Sequence, residues 1–351
     1  MPPRAAGAAP LQVLDIGYPR MLPAGVTGAV TGLAYTDGGR ALAAAGADGA
    51  LRVWTADTAR FRRDLTPDGY DVRSFAPLGA DVLLGCNDGK LRRWNPRTGA
   101  VTVTADNLGG SVVSVAVTAD GRRVGVGLSA KAGNAVRVLD AETGAAAWTT
   151  PTASAPLRLA FAPDGSVLAG ANGRDVTGWD AATGRVGASW RAGGSQVWTL
   201  APGPAAGLVW VSAGDAAVAL DPRTGREERR WPAPAPVHET AFDPTGRLAA
   251  VRRPATSVST TLALHPAQPG PAVLTIGGDQ SVVSPVFSPD GRTLAACDRG
   301  RVRLWHAATG QELLTLDAGG TGLGLAFSAD GRGLTALVGP QRRVAYWSAE
   351  P

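Results

Sequence analysis

Three histidines, His238, His265 and His306, and two cysteines, Cys86 and Cys297, are all the chain offers for imidazole or thiol chemistry. Metal binding or nucleophilic catalysis needs such groups gathered at set spacings. No HExxH pair, no CxxC pair, no Gly-x-Ser-x-Gly elbow and no phosphate-cradling Gly-x-x-x-x-Gly-Lys-Ser/Thr loop is present. What stands out instead is a set of polar and aromatic residues set into small, apolar runs: Tyr70, Asp71, Arg73, Arg158, Trp198, His238 and Glu239. Arginine and aromatics are favoured anchors of protein interfaces. The chemistry they suggest is recognition by stacking and ion pairing, with no catalytic residue, no cofactor and no metal.

The elements that position these residues follow from composition. Of 351 residues, 47 are Gly and 26 are Pro, while charged residues make up 18% and hydrophobic ones 44%. So apolar a chain with so little charge is not disordered. One residue in five being Gly or Pro argues against helices, since Gly costs about 1 kcal/mol and Pro about 3 kcal/mol in a helix interior. A turn-dense all-β protein is left. The net charge is +5, carried mostly by dispersed arginines, so no nucleic-acid footprint is expected. The first ten residues hold no apolar signal segment and no apolar run is long enough to span a membrane, so a cytoplasmic protein is expected. Cys86 and Cys297 each precede a turn and read as small buried strand residues.

A repeat runs through the chain. Trp54, Trp94, Leu139, Trp179, Leu220, Leu264, Trp305 and Trp347 recur at spacings of 40, 45, 40, 41, 44, 41 and 42 residues. About 20 residues before each lies a turn such as Asp120-Gly121, Asp164-Gly165, Asp290-Gly291 or Asp330-Gly331. Just after several of them comes a second kind, as in Asp140-Ala141-Glu142-Thr143-Gly144 and Asp180-Ala181-Ala182-Thr183-Gly184. Three turns per period make four short strands. The repeated aspartates are therefore hairpin residues.

The first strand of each unit has one bulky face, Leu33/Tyr35, Val115/Val117 and Leu159/Phe161, and one small face, Ala34, Ala116 and Ala160. Eight such units imply a closed β-propeller of eight four-stranded blades, with seven as the alternative. The last unit lacks a fourth strand, and Leu11–Ile16 at the other end is expected to supply it. Residues 1–10 then form a disordered tail and 11–351 a single domain. Arg158 sits where other units have Ser114 or Gly32, and Arg73 sits on the bulky face. A charge in a dry layer between sheets is costly, so both are expected to reach a solvated mouth of the ring. The stretch Arg252–Thr261 replaces a tight turn with a longer polar loop.

Phe287-Ser288-Pro289-Asp290-Gly291, Phe327-Ser328-Ala329-Asp330-Gly331 and the dipeptide Trp179-Asp180 resemble the WD40 repeats of bacterial proteins. The resemblance covers roughly residues 11–348. It implies a scaffold that binds a protein or peptide partner through one mouth of the propeller, without catalysis, as a monomer. The Gly-His dipeptide of that family is missing, so the family's buried His–Asp–Ser–Trp network cannot form in full. An alternative comes from Leu139–Trp148, which looks like the tryptophan-docking repeat of pyrroloquinoline-quinone propeller enzymes. Trp148, Trp190 and Trp231 are expected to pack on outer strands between blades.

Overall fold

The computed structural model describes residues 10–14, 30–36, 41–46, 51–55, 61–65, 69–193, 196–203, 205–213, 216–232, 237–243, 247–252, 260–266, 270–276, 282–318, 322–328, 330–338 and 343–348. They form strands and turns, with no helix among the described residues. After β1 (Pro10–Leu14) come β2 (Val30–Thr36), β3 (Ala41–Gly46), β4 (Leu51–Thr55) and β5 (Phe61–Leu65). The next group is β6 (Val72–Leu78), β7 (Asp81–Cys86), β8 (Leu91–Trp94) and β9 (Val101–Ala105). Then follow β10 (Ser111–Val117), β11 (Arg123–Ser129), β12 (Asn134–Asp140) and β13 (Ala146–Thr152). The middle of the chain holds β14 (Arg158–Phe161), β15 (Val167–Asn172), β16 (Asp175–Asp180) and β17 (Val186–Arg191). It continues with β18 (Val197–Pro202), β19 (Val209–Ala213), β20 (Ala216–Asp221) and β21 (Arg226–Pro232). Next are β22 (Val237–Phe242), β23 (Leu248–Arg252), β24 (Thr261–His265) and β25 (Leu274–Ile276). β26 (Val282–Phe287), β27 (Thr293–Asp298), β28 (Arg301–His306) and β29 (Glu312–Asp317) precede β30 (Gly322–Phe327), β31 (Gly333–Val338) and β32 (Arg343–Ser348).

Each group of four is one antiparallel sheet in chain order. The last group has three strands of its own, and β1 adds the fourth by pairing antiparallel with β32, Val13 opposite Ala345 and Leu14 opposite Val344. The expected contribution of the N-terminal strand is thus present. The tail before Pro10 and loop residues 253–259 lie outside the described residues.

The strands fall into two compact units. One covers residues 65–237 with 49–51, and the other 1–48, 52–64 and 238–351. In the first unit the core lies between successive sheets. Leu83 and Leu91 of one sheet meet Val112, Val124 and Leu139 of the next. Val136 and Val138 then meet Phe161, Leu168 and Trp179, and Val176 meets Val209, Val211 and Val218. The second unit repeats this, with Leu262 and Leu264 against Leu294 and Trp305, and Val302 and Leu316 against Leu334 and Trp347. Each fully buried large side chain contributes about 1.5–3 kcal/mol. Small residues on the facing strands, Ala116, Ala160, Ala169 and Ala295 among them, bring the sheets close.

The indole N–H groups of Trp94, Trp179 and Trp347 are buried without a hydrogen-bond partner among the described residues. The polar network of the resembled family is accordingly absent at these positions, and apolar packing carries the interior. Cys86 and Cys297 are both buried, in β7 and β27, and form no disulfide.

Turn chemistry explains the period. In Thr118–Arg123 the Thr118 hydroxyl donates to Asp120 Oδ1 at 2.6 Å, and the Arg122 N–H donates to the same oxygen at 3.0 Å. Ser288 with Asp290 and Ser328 with Asp330 repeat the arrangement. In the other turn type, Asp180 Oδ1 accepts from the N–H groups of Ala182 and Thr183 and from the Thr183 hydroxyl. Asp140 does the same with Glu142 and Thr143. These bonds hold the carboxyls of Asp120, Asp140, Asp180, Asp290 and Asp330 below the usual aspartate range. The aspartates are committed to their own hairpins.

Candidate partner-binding site

The first strands of the first unit, β6, β10, β14 and β18, are neighbours in that order. They share one level. The Val115 N–H donates to Ser74 Oγ at 3.0 Å, and the Ser114 hydroxyl donates to the Pro156 carbonyl at 2.5 Å. Both bonds span one period, so residues one period apart lie side by side.

At this level three of these first strands carry an extra residue. The pairing of β6 with β7 skips from Val72 to Ser74, that of β10 with β11 from Val112 to Ser114, and that of β18 with β19 from Val197 to Thr199. The unpaired residues are Arg73, Val113 and Trp198. Before β14 the equivalent is Leu157, whose N–H donates to the carbonyl of Ala171, the residue paired with Arg158. A β-bulge kinks its strand and re-aims the side chain it inserts. Arg73, Val113, Leu157 and Trp198 therefore form one row along the ends of four adjacent strands. Arg73 is exposed, Val113 and Trp198 are half-buried, and Leu157 is 54% exposed.

This corrects the expectation for Arg73. It does not occupy the bulky face; Phe75 does, in the place of Val115 and Leu159. Pro77 pairs with Val82 as Phe161 pairs with Leu168, but the hairpin between them is two residues shorter. Counting across unequal hairpins displaced Arg73 by two positions. Arg158 does hold the place of Ser74 and Ser114.

Tyr70, Asp71 and Arg73 come together at one end of this row. Arg73 Nη2 donates to Asp71 Oδ2 at 3.2 Å, and both side chains are exposed. Asn87 clamps Asp71: the Asp71 N–H donates to Asn87 Oδ1 at 2.8 Å, and Asn87 Nδ2 donates to Asp71 Oδ2 at 3.2 Å. The Arg92 guanidinium lies over the Tyr70 ring, 3.7 Å from its centroid, and grips Asp88 with two bonds of 2.8 and 2.5 Å. That grip holds the Asp88 carboxyl below its usual range, and Asp88 raises the Arg92 guanidinium in turn. Burial pushes the neighbouring Cys86 thiol up. Asn87, Asp88 and Arg92 read in the sequence only as turn and strand residues; their role arises from the β7–β8 turn folding back on the β6 entry.

Arg158 is different. It is half-buried, burial pulls its guanidinium below the usual range, and it has no hydrogen bond or ion pair among the described residues. A cavity of about 420 Å³ is lined by Pro156, Ala171, Thr177 and Trp179 among others; it includes Ala171, the strand partner of Arg158, and not Arg158 itself. Trp198 stands at the far end of the row, on β18. His238 and Glu239 fall on β22, in the second unit, and their side chains lie outside the described residues.

No cluster of three metal-binding side chains occurs among the described residues. No helix among them is long and apolar enough to cross a membrane. His265 Nδ1 lies 3.3 Å from the Gly270 carbonyl and His306 Nδ1 lies 3.1 Å from the Thr309 hydroxyl, so both serve local turns.

Comparison with known proteins bears on the fold. The computationally designed Ika8 protein is similar, with a TM-score of 0.71 over 93% of this chain and 98% of that one, at 20% identity. A likeness at that identity is one of fold alone. No curated protein matches the sequence. Residues 20–55 and 270–306 match the model of the WD40 repeat, described as WD domain, G-beta repeat. That repeat is thus matched at two separated places, with turns of the same chemistry recurring between them, so the chain carries WD40-type repeats.

Proposed function

We propose that this chain is a non-catalytic scaffold that binds a protein partner through the row formed by Arg73, Val113, Leu157 and Trp198. On this proposal its sheets are the eight blades of one propeller, as the sequence period implies, and the row lies at one mouth. The observation that carries it is the bulge: three of four neighbouring strands insert one residue at the same level, and Leu157 stands at the equivalent point just before the fourth. Arginine and tryptophan are side chains that interfaces use as anchors, and the exposed Leu157 adds apolar area between them. The bonded Tyr70–Arg92–Asp88 cluster beside the row is pre-organised, which lowers the entropy lost on docking.

The test is affinity capture with the purified chain, followed by mass spectrometry. A partner held by the wild type and by V103D, changed on the outer strand β9, but lost from L157D and W198A, supports the proposal. A partner retained by both row variants sinks it. Turnover of a dye-linked alcohol dehydrogenase assay by the pure protein on adding pyrroloquinoline quinone would replace it with the enzyme alternative.

A further inference from the structure

Arg158 is a half-buried ionised group next to the row for which no counter-charge is found among the described residues. Its equivalents in the adjacent sheets, Ser74 and Ser114, are small hydroxyls that tie one sheet to the next. An arginine there performs neither task. It gives up part of its hydration, since it is half-buried and burial destabilises its charged form. A guanidinium placed so, with five donors and no acceptor, remains a cost to the fold until an anion reaches it. Directly before it stands Leu157, 54% exposed, and before that Pro156, at the edge of the 420 Å³ cavity.

Resting on the scaffold assignment above, we infer that the partner presents an acidic segment, with an aspartate or glutamate carboxylate on Arg158 and an apolar side chain next to it on Leu157 and Pro156. A carboxylate matches the planar guanidinium fork bidentately. The apolar neighbours favour a peptide over nucleic acid. A phosphate backbone calls for a line of cations, and here Leu157 and Val113 separate Arg158 from Arg73, whose own guanidinium is bonded to Asp71. The net charge of +5 adds long-range attraction for an acidic partner. On this inference Arg158 is retained against stability, as binding groups often are.

Fluorescence anisotropy with four labelled probes tests it. The first is a short Gly/Ser-framed peptide with a central Glu-Leu-Glu-Leu. The second has Gln for Glu, the third Lys for Glu, and the fourth is an oligothymidylate. The acidic peptide should bind at least about tenfold tighter than the Gln peptide, and R158Q should remove that advantage. R185Q, changed at an exposed arginine after the β16–β17 turn, should bind as the wild type does. R158Q should melt no lower than the wild type, because no bond among the described residues is lost. Equal binding of the Glu and Gln peptides, or full binding by R158Q, overturns the inference. A fall in melting temperature for R158Q also overturns it, since Arg158 would then serve the fold. If the Gln or Lys peptide binds in a manner sensitive to W198A, the scaffold stands and only its acidic specificity fails. If the oligothymidylate alone binds, with a steep salt dependence, both fail.

Discussion

Trp148 donates its indole N–H to the Ala181 carbonyl across 3.0 Å, from the outer strand of one sheet to the third turn of the next. The ring lies flat enough on that turn that a Cβ at Gly184 would stand 2.6 Å from Trp148 Cδ2. Gly184 also has φ +73, where side chains are strained. Thr150 adds a second tie by donating to the Gly184 carbonyl at 3.1 Å. The expected packing of this tryptophan between sheets is thus a specific dock. Trp190 repeats it with a different acceptor, Glu227 Oε1, and Trp231 is buried with its ring centroid 5.6 Å from that of Trp210.

Replacing Trp148 separates the two parts of this dock. W148F keeps most of the ring contact and loses one hydrogen bond, for about 1 kcal/mol. W148A loses the contact as well and should cost about 2–4 kcal/mol, less than a fully buried tryptophan because Trp148 is half-buried. G184A should cost at least about 1 kcal/mol through both strain and collision. Urea denaturation measures all three. Equal midpoints for the wild type and W148A would contradict the dock.

Acid should loosen the turns. The carboxyls of Asp140 and Asp180 are held below the ordinary aspartate value by the Thr143 and Thr183 groups that bond them. A folded pKa below the unfolded one stabilises the fold above the unfolded value, and the gain is lost as pH falls through the folded value. The melting temperature should therefore be flat near neutrality and drop once pH passes below about 4. The double variant D140N/D180N keeps an acceptor oxygen in each turn and should show a shallower drop. A drop of the same steepness would remove these aspartates from the account.

Arg92 should matter more than the other arginines of its end of the row. Its side chain is only 10% exposed and its two bonds to Asp88 fix the β7–β8 turn against Tyr70. R92A should cost about 1–3 kcal/mol and speed amide exchange through residues 87–90. R73A breaks only an exposed pair with Asp71 and should cost less than about 1 kcal/mol. Equal losses for the two variants would show that the grip on Asp88 adds nothing.

The sequence made the period, the turns and the role of the N-terminal strand legible because turn chemistry is local. An Asp that must accept from residues two and three ahead, and a Gly that must take positive φ, leave a mark at a fixed offset. The bulge leaves none. One inserted residue shifts the side-chain alternation of a strand without changing its composition, and a hairpin two residues shorter moves Arg73 against its equivalents, so the face that Phe75 holds is not legible from spacing. Leu157 went unremarked for the same reason, as a leucine among apolar neighbours. Tyr70, Asp71, Arg158 and Trp198 were visible because their types contradict a small-residue pattern. Their company was not, since Asn87 and Asp88 reach the site through backbone pairing that sequence spacing does not report.

The central claim, that the row of bulge residues is the partner-binding surface, is tested most directly by placing a photo-crosslinking amino acid, p-benzoylphenylalanine, at position 157 and, separately, at position 103. Both side chains are exposed, at 54% and 50%, and they differ in which end and edge of the sheets they occupy. Irradiation in the presence of the captured partner should give a covalent adduct from position 157 and none from position 103. An adduct from position 103 alone would contradict the claim and move the interface to the outer strands.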